Sequence, residues 1–391
     1  MNSESRYAKE IDNFINNVNN GCFNNVRILI NIIDGQDNKY KVNDIAIIDD
    51  KSDNCNLLND LKYKIKKLNE KIKNSGFNWN IFYLYKELIQ ILKELGFNYF
   101  RGQNDKWELV PSILRYKLYK DDVSQKFELK YKKISERFED IKYYDLEQLK
   151  NTKTKRDEVS FFEKRNTELG ILQHYGFPTP LLDITQNPYV ALLFMCSDSH
   201  NNNGSKRFDA FNIDEEKHSE NNIFSLSYID RRNKRINVQR GEFLDFSKFQ
   251  ELNSKKIKIK KIDHVTIVIQ YNVISGFDEY LSKYLDLVLD SRPINDEKIQ
   301  SKISEIEDRY NFNIFDRKKV VSIIKSENSD TKIAFIQFLY SSIKKYISSG
   351  IYKYVNEDLK NKLNEFEYRE SDLYPDMEKQ LEYMERKYRK D

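Results

Sequence analysis

The chain has little from which to build a covalent or metal scaffold. Its 391 residues include three cysteines, Cys22, Cys55 and Cys196, an odd number set far apart, so neither a disulfide framework nor a zinc cluster is implied. With four histidines and no paired cysteines, no protein-built metal site is expected. Apolar runs such as Val265–Ile269 fall far short of a membrane span. The opening Met-Asn-Ser-Glu-Ser-Arg lacks the basic-then-apolar pattern of a secretion signal. A cytoplasmic protein without membrane contact is the expectation. G-x-x-x-x-G-K-S/T, G-x-G-x-x-G, H-E-x-x-H and G-x-S-x-G are all missing, which sets aside P-loop NTPases, Rossmann enzymes, zinc proteases and serine hydrolases.

What is present points to a folded, very polar protein. Sixty-six basic and 62 acidic residues are interspersed and leave a net charge of +4, a mixed surface that neither demands nor excludes nucleic acid. The 26 tyrosines and 24 phenylalanines are an aromatic content that disordered chains lack. The length allows one large domain or two to three ordinary ones.

Along the chain, residues 5–20 read as a short polar helix. Val26–Ile33 and Asp44–Ile48 read as strands around the turn cluster Gly35-Gln36-Asp37-Asn38. Helical spacing of apolar residues follows over Leu57–Ile72 and Ile81–Leu95, with Gly96 as a stop. Phe97–Gln103 is an aromatic strand, and Pro111 and Ser112 start a short helix. Residues 122–172 are strongly helical with a break near Asn151–Thr154, and Pro188 opens another helix. Ser197–Asn222 has no periodicity and reads as a loop. Strands are expected at Ile223–Ile229, Ile236–Phe246, Ile257–Ile262 and His264–Tyr271, with mostly helical chain from Gly276 onward. The fold class is therefore α+β: a mixed β-sheet core with many surrounding helices.

Three segments carry polar chemistry. Gln173–Thr185 is the densest: within eight positions it holds two of six prolines, one of four histidines and one of eleven glycines. His174 and Asp183 lie nine residues apart across a Gly-Phe-Pro-Thr-Pro turn that could fold them together, a carboxylate fixing an imidazole tautomer. Thr185 lies on the same face as Asp183 if the segment is extended. Alternatively, Asp183 and Thr185 cap the helix at Asn187-Pro188, and His174 is a core residue. Arg101 ends an aromatic strand and is followed by Gly102, which lets a ligand approach the backbone; its planar donors suit phosphate or carboxylate, or it is a surface arginine in a turn. Gln103, Trp107 and Arg115 add polar and aromatic groups nearby. Gln239, Gly241 and Glu242 form the third segment, with Gly241 marking close backbone approach or a bulge.

Taken together, these residues resemble the FRG domain family. Phe100-Arg101-Gly102-Gln103 and Trp107, Leu109, Pro111, Ser112 and Arg115 match its first motif. Gln173–Gly176, Thr179, Leu181–Asp183 and Thr185–Ala191 match its central one. Gln239 with Gly241-Glu242-Phe243, and Tyr374-Pro375-Asp376-Met377, match later elements. Pro180 departs from the basic residue usual there. The resemblance brackets 97–391 as the domain, with an insertion at about 273–352, and leaves 1–96 as a mostly helical N-terminal region.

FRG domains resemble modules of bacterial conflict and phage-defence systems, and the order of elements is similar to that of ADP-ribosyltransferases. The resemblance implies NAD as substrate, with Arg101, Gly102, Gln103, Thr185 and Gln239 binding it and His174, Asp183 and Glu242 as catalytic groups. It implies a macromolecular acceptor, protein or nucleic acid, and an antitoxin or phage trigger as partner. A non-catalytic nucleotide or phage-ligand sensor and a metal-independent nuclease are the other readings.

Overall fold

The computed structural model describes residues 21–34, 40–51, 54–76, 79–104, 109–115, 123–197, 206–220, 224–225, 241–247, 260–271, 349–369 and 371. Among the described residues there are eight strands: β1 (Phe23–Asp34), β2 (Tyr40–Lys51), β3 (Tyr99–Gln103), β4 (Leu181–Thr185), β5 (Arg207–Asn212), β6 (Phe224–Ser225), β7 (Gly241–Asp245) and β8 (Ile262–Tyr271). They form one mixed sheet in the order β2-β1-β8-β5-β3-β4-β7-β6. β1 runs parallel to β8, and the other pairs are antiparallel.

Helices cover both faces. α1 (Cys55–Asn74) starts at Asn54, whose side chain accepts from Leu57 N, and it buries Leu57, Leu61, Ile65, Leu68 and Ile72 on one stripe. Each such side chain contributes roughly 1.5–3 kcal/mol when fully buried. α2 (Ile81–Glu94) is capped in the same way by Asn80. Both pack on the face that carries Ile28, Ile30, Phe100, Phe208, Ala210, Val265 and Ile267. α6 (Pro188–Cys196) and a helix over 349–365, called α8, complete that layer through Ala191, Leu192, Ile351, Val355, Leu359 and Leu363. The short α3 (Ser112–Arg115), α4 (Val123–Arg137) and α5 (Lys155–His174) cover the opposite face, where Ile113, Phe127, Tyr131, Leu169 and Leu172 meet Tyr99, Leu182, Ile184, Phe211 and Leu244. α7 (Glu215–Glu220) follows β5.

The α+β class and the mixed sheet hold. The boundary at residue 96 does not mark off a helical module: β1 pairs with β8 from Phe23↔Ile262 to Ile32↔Tyr271, so residues 23–51 are the first two strands of the common sheet. The loop expected over Ser197–Asn222 contains β5 and α7. The strand expected at His264–Tyr271 is β8, which begins two residues earlier at Ile262, and Asp263 within it is held by Asn24 Nδ2 at 2.8 Å and Asn54 Nδ2 at 3.1 Å. Of the strand expected at Ile257–Ile262, residues 257–259 lie outside the described residues and 260–261 are not in a strand. The polar helix at 5–20, Trp107, Gln239, Tyr374–Met377 and the insertion up to residue 348 lie outside the described residues.

Candidate functional site

The centre of the sheet contains a fork. β3 and β4 are in register through a single pair, Phe100↔Thr185, whereas β3 meets β5 through five pairs from Tyr99↔Phe211 to Gln103↔Arg207. Beyond Phe100, β3 stays with β5, and the ladder to β4 is not continued. Across this opening Arg101 Nη1 donates to the main-chain oxygen of Asp183 at 2.6 Å. Arg101 is half-buried. Burial lowers its affinity for a proton, an effect that Asp183 and Asp209 oppose and Arg207 reinforces. A guanidinium stays charged under such shifts, so the fork carries a fixed cation.

Two of the segments singled out in the sequence meet at this arginine. The exposed carboxylate of Asp183 accepts from Gln173 Nε2 at 2.6 Å, and Gln173 Oε1 accepts from Thr179 Oγ1. Thr179, fully buried, donates its N–H to Ser112 Oγ at 3.0 Å. Its carbonyl accepts from Ser112 Oγ and Ile113 N, both at 3.2 Å. One hydrogen-bonded chain therefore runs from the start of α3 through the Thr179 turn and the end of α5 to β4. The Pro178/Pro180 turn is rigid because both of its flanks are held.

Individual assignments shift. The Gln173 amide, one residue before the expected imidazole, orients Asp183. His174 is the last residue of α5, half-buried, with its ring edge-on to Tyr175 at 5.3 Å. Thr185 is buried, and its Oγ1 accepts from Asn187 N at 3.0 Å, while Asn187 caps α6 through its Oδ1, which accepts from Tyr189 N at 3.0 Å. Gly102 is required by packing: a Cβ there would lie 1.6 Å from the Ala191 carbonyl oxygen of α6. The close approach to its backbone is made by a helix. Gln103 is buried at the end of β3. Glu242 lies opposite Ile184 on β7 and acts electrostatically on Tyr99, whose hydroxyl donates to Glu215 Oε1 at 2.6 Å and accepts from Gln186 Nε2 at 3.0 Å.

A buried polar network behind Arg101 escaped the sequence reading. Asp209, directly opposite Arg101 on β5, is fully buried and meets Arg207, His264 and Thr266. Burial raises the Asp209 pKa, but Arg207 and His264 outweigh it and hold the carboxyl well below the usual range. Burial lowers His264 below the ordinary histidine value, against the pull of Asp209. Alternation of Phe208, Ala210 and Asn212 with Arg207, Asp209 and Phe211 was the available signal. Its charged residues made the strand look solvated.

No group of three or more His, Cys, Asp or Glu side chains among the described residues is arranged to hold a metal ion. Among the same residues no helix is long and apolar enough to cross a membrane. Residues 97–204 match the sequence model of a family described as the FRG domain, the stretch that runs from the start of β3 past α6 and contains the fork arginine, Gln173 and Asp183. No curated protein and no solved structure was found to match the chain.

Proposed function

With an FRG domain at residues 97–204 as premise, we propose that the chain is an ADP-ribosyltransferase-like effector that uses NAD at the β3/β4 fork, acting as a toxin in bacterial phage defence. The observation that carries this reading is Arg101, a cation held at a break in the sheet by the main-chain oxygen of Asp183, whose exposed carboxylate is bonded to Gln173. A partly buried guanidinium with planar donors is suited to a pyrophosphate. Glu242, on β7, lies on the far side of β4 from Arg101.

In the reaction, the bond between nicotinamide nitrogen and ribose C1 breaks and neutral nicotinamide leaves. The electron-poor ribose carbon is then captured by a nucleophile of the acceptor macromolecule. Glu242 stabilises the developing positive charge and takes the nucleophile's proton, while Asp183 and His174 position substrate. A cytoplasmic setting with a protein or nucleic-acid acceptor fits this chemistry. The test is nicotinamide release by the full chain in a bacterial lysate supplying acceptor. Wild type should release it, and Arg101→Ala and Glu242→Gln should each cut the rate at least about 100-fold. Equal release by wild type and Arg101→Ala would end the proposal.

The fixed charge of Arg101 also serves a second reading, a nucleotide sensor without turnover. That reading expects NAD or a related nucleotide to bind with Arg101-dependent affinity and to be recovered intact.

A further inference from the structure

Arg101 and Asp209 are directly paired across β3 and β5, so their side chains leave the sheet on the same face, from Cα atoms about 4.5–5.5 Å apart. Asp209 Oδ1 accepts from Arg207 Nε at 2.7 Å and from Thr266 Oγ1 at 2.8 Å, and it lies 2.9 Å from His264 Nε2. Asp209 Oδ2, also buried, has no hydrogen-bond partner among the described residues. The same is true of the buried Nε of Arg101, whose Nη1 is engaged with the Asp183 carbonyl. The two atoms are complementary: one is the remaining acceptor of an anion, the other a donor of a cation, on facing residues. Leaving either unsatisfied in a buried place is unfavourable, the more so because both groups are charged.

We propose that Asp209 is the positioning residue of Arg101: its Oδ2 closes on the Nε–H, directly or through one water, and so sets the direction in which the guanidinium faces the fork. This rests on Arg101 being the anion contact of the site. Asp209 is itself held in place. His264 is stacked on Phe211 with ring centroids 4.8 Å apart and planes 11° from parallel, and its Nδ1 lies 2.7 Å from Asn25 Oδ1. The support therefore runs from β1 through β8 and β5 to β3. Arg207 repels Arg101. A carboxylate between the two guanidiniums offsets that repulsion and keeps Arg101 from swinging out of the fork.

The experiment is a ¹⁵N–¹H spectrum of arginine Nε–H groups in the full chain, with Arg101→Lys used to assign the Arg101 signal. Asp209→Asn should displace that signal and speed its exchange with solvent at least about tenfold, because a charge-assisted acceptor becomes a neutral one. Thr266→Val, which removes only one Oδ1 donor, should shift it less and in the same direction, and it serves where Asp209→Asn does not fold. NAD titration is the second arm: Asp209→Asn should weaken binding about tenfold, yet add nothing on top of Arg101→Ala. An Arg101 signal unchanged in the folded variants overturns the positioning role whatever the ligand. A displaced signal with no NAD binding by any chain, wild type included, keeps the positioning role and defeats the NAD reading.

Discussion

Replacing Gly102 by alanine tests the packing of the site most directly. The added Cβ would fall 1.6 Å from Ala191 O, 2.6 Å from Ala191 C and 2.8 Å from Met195 N, all main-chain atoms. A carbon–oxygen contact needs about 3.3 Å, so α6 would have to withdraw by roughly 1.7 Å. It has little room to do so, since Pro188, Val190, Ala191, Leu192, Leu193, Met195 and Cys196 are all buried. Overpacking of flexible side chains costs about 1–3 kcal/mol, and a helix backbone yields less easily, so Gly102→Ala should lose about 3 kcal/mol or more. Two other glycines calibrate the measurement. Gly350 lies in α8 and Gly176 has φ +80°, and a Cβ at either meets nothing within 4 Å. Gly350→Ala should be neutral or stabilising by up to about 1 kcal/mol. Gly176→Ala should cost about 1–2 kcal/mol from its backbone angle. Urea unfolding with a common m-value gives the ranking. A Gly102→Ala loss below about 1 kcal/mol would refute the packing argument. Native stability with abolished ligand binding would return Gly102 to a direct role at the ligand.

Three further outcomes are expected. Arg165 is fully buried, pairs with Glu128 through both terminal nitrogens and lies over the Tyr131 ring at 5.3 Å. Arg165→Ala should cost about 3–5 kcal/mol by removing the cation that pairs with Glu128, which among the described residues keeps only the Tyr143 hydroxyl, and adding Glu128→Gln should cost less than the sum of the single changes, as a double-mutant cycle in urea would show. His264 and His218 are both held below the ordinary value of 6.5, mainly by burial. Folding thus lowers their proton affinity and the unfolded chain binds more protons, so stability should fall as pH drops below about 6.5, by at most about 1.4 kcal/mol per pH unit for each histidine. Unfolding free energies that stay flat from pH 7 to 5.5 would contradict this. Cys22 is buried and its thiol is pushed up to about 12, Cys196 is buried, and Cys55 is exposed. Iodoacetamide at neutral pH should therefore modify Cys55 first, with Cys22 and Cys196 protected until denaturant is added; equal rates at all three would count against the fold.

Much of the scaffold was legible because apolar spacing and caps agreed. The stripes Leu61-Ile65-Leu68-Ile72 and Leu84-Leu88-Leu92 sit on the sheet as their period required. The turn at Gly176–Pro180 followed from proline and glycine placement, while β4 after it stood only as a segment that could be extended. β5 was hidden because Arg207 and Asp209 compensate each other inside the sheet, and composition alone marks such residues as surface. Strand β8 starts before the expected His264 because Asp263 is held in the sheet by two asparagines distant in sequence. At the candidate site, the sequence named residues but not their partners. Gln173 orients Asp183, and helix α6 fills the space over Gly102. Both facts depend on contacts between elements that spacing along one segment does not encode.

The pairing of β1 with β8 has a consequence for how the protein is made. Asn24 and Asp263, bonded in the finished sheet, are 239 positions apart. At about 5–20 residues per second, the ribosome needs roughly 10–50 s to supply the partner of β1 after β1 itself has emerged. Throughout that interval the nascent chain can form the β1–β2 hairpin, but the other edge of β1, with Val26, Ile28, Ile30 and Ile32, waits unpaired. Yield in cells should accordingly depend on translation speed and on holdase chaperones. A translation product ending before residue 262 would carry this open edge permanently and should aggregate.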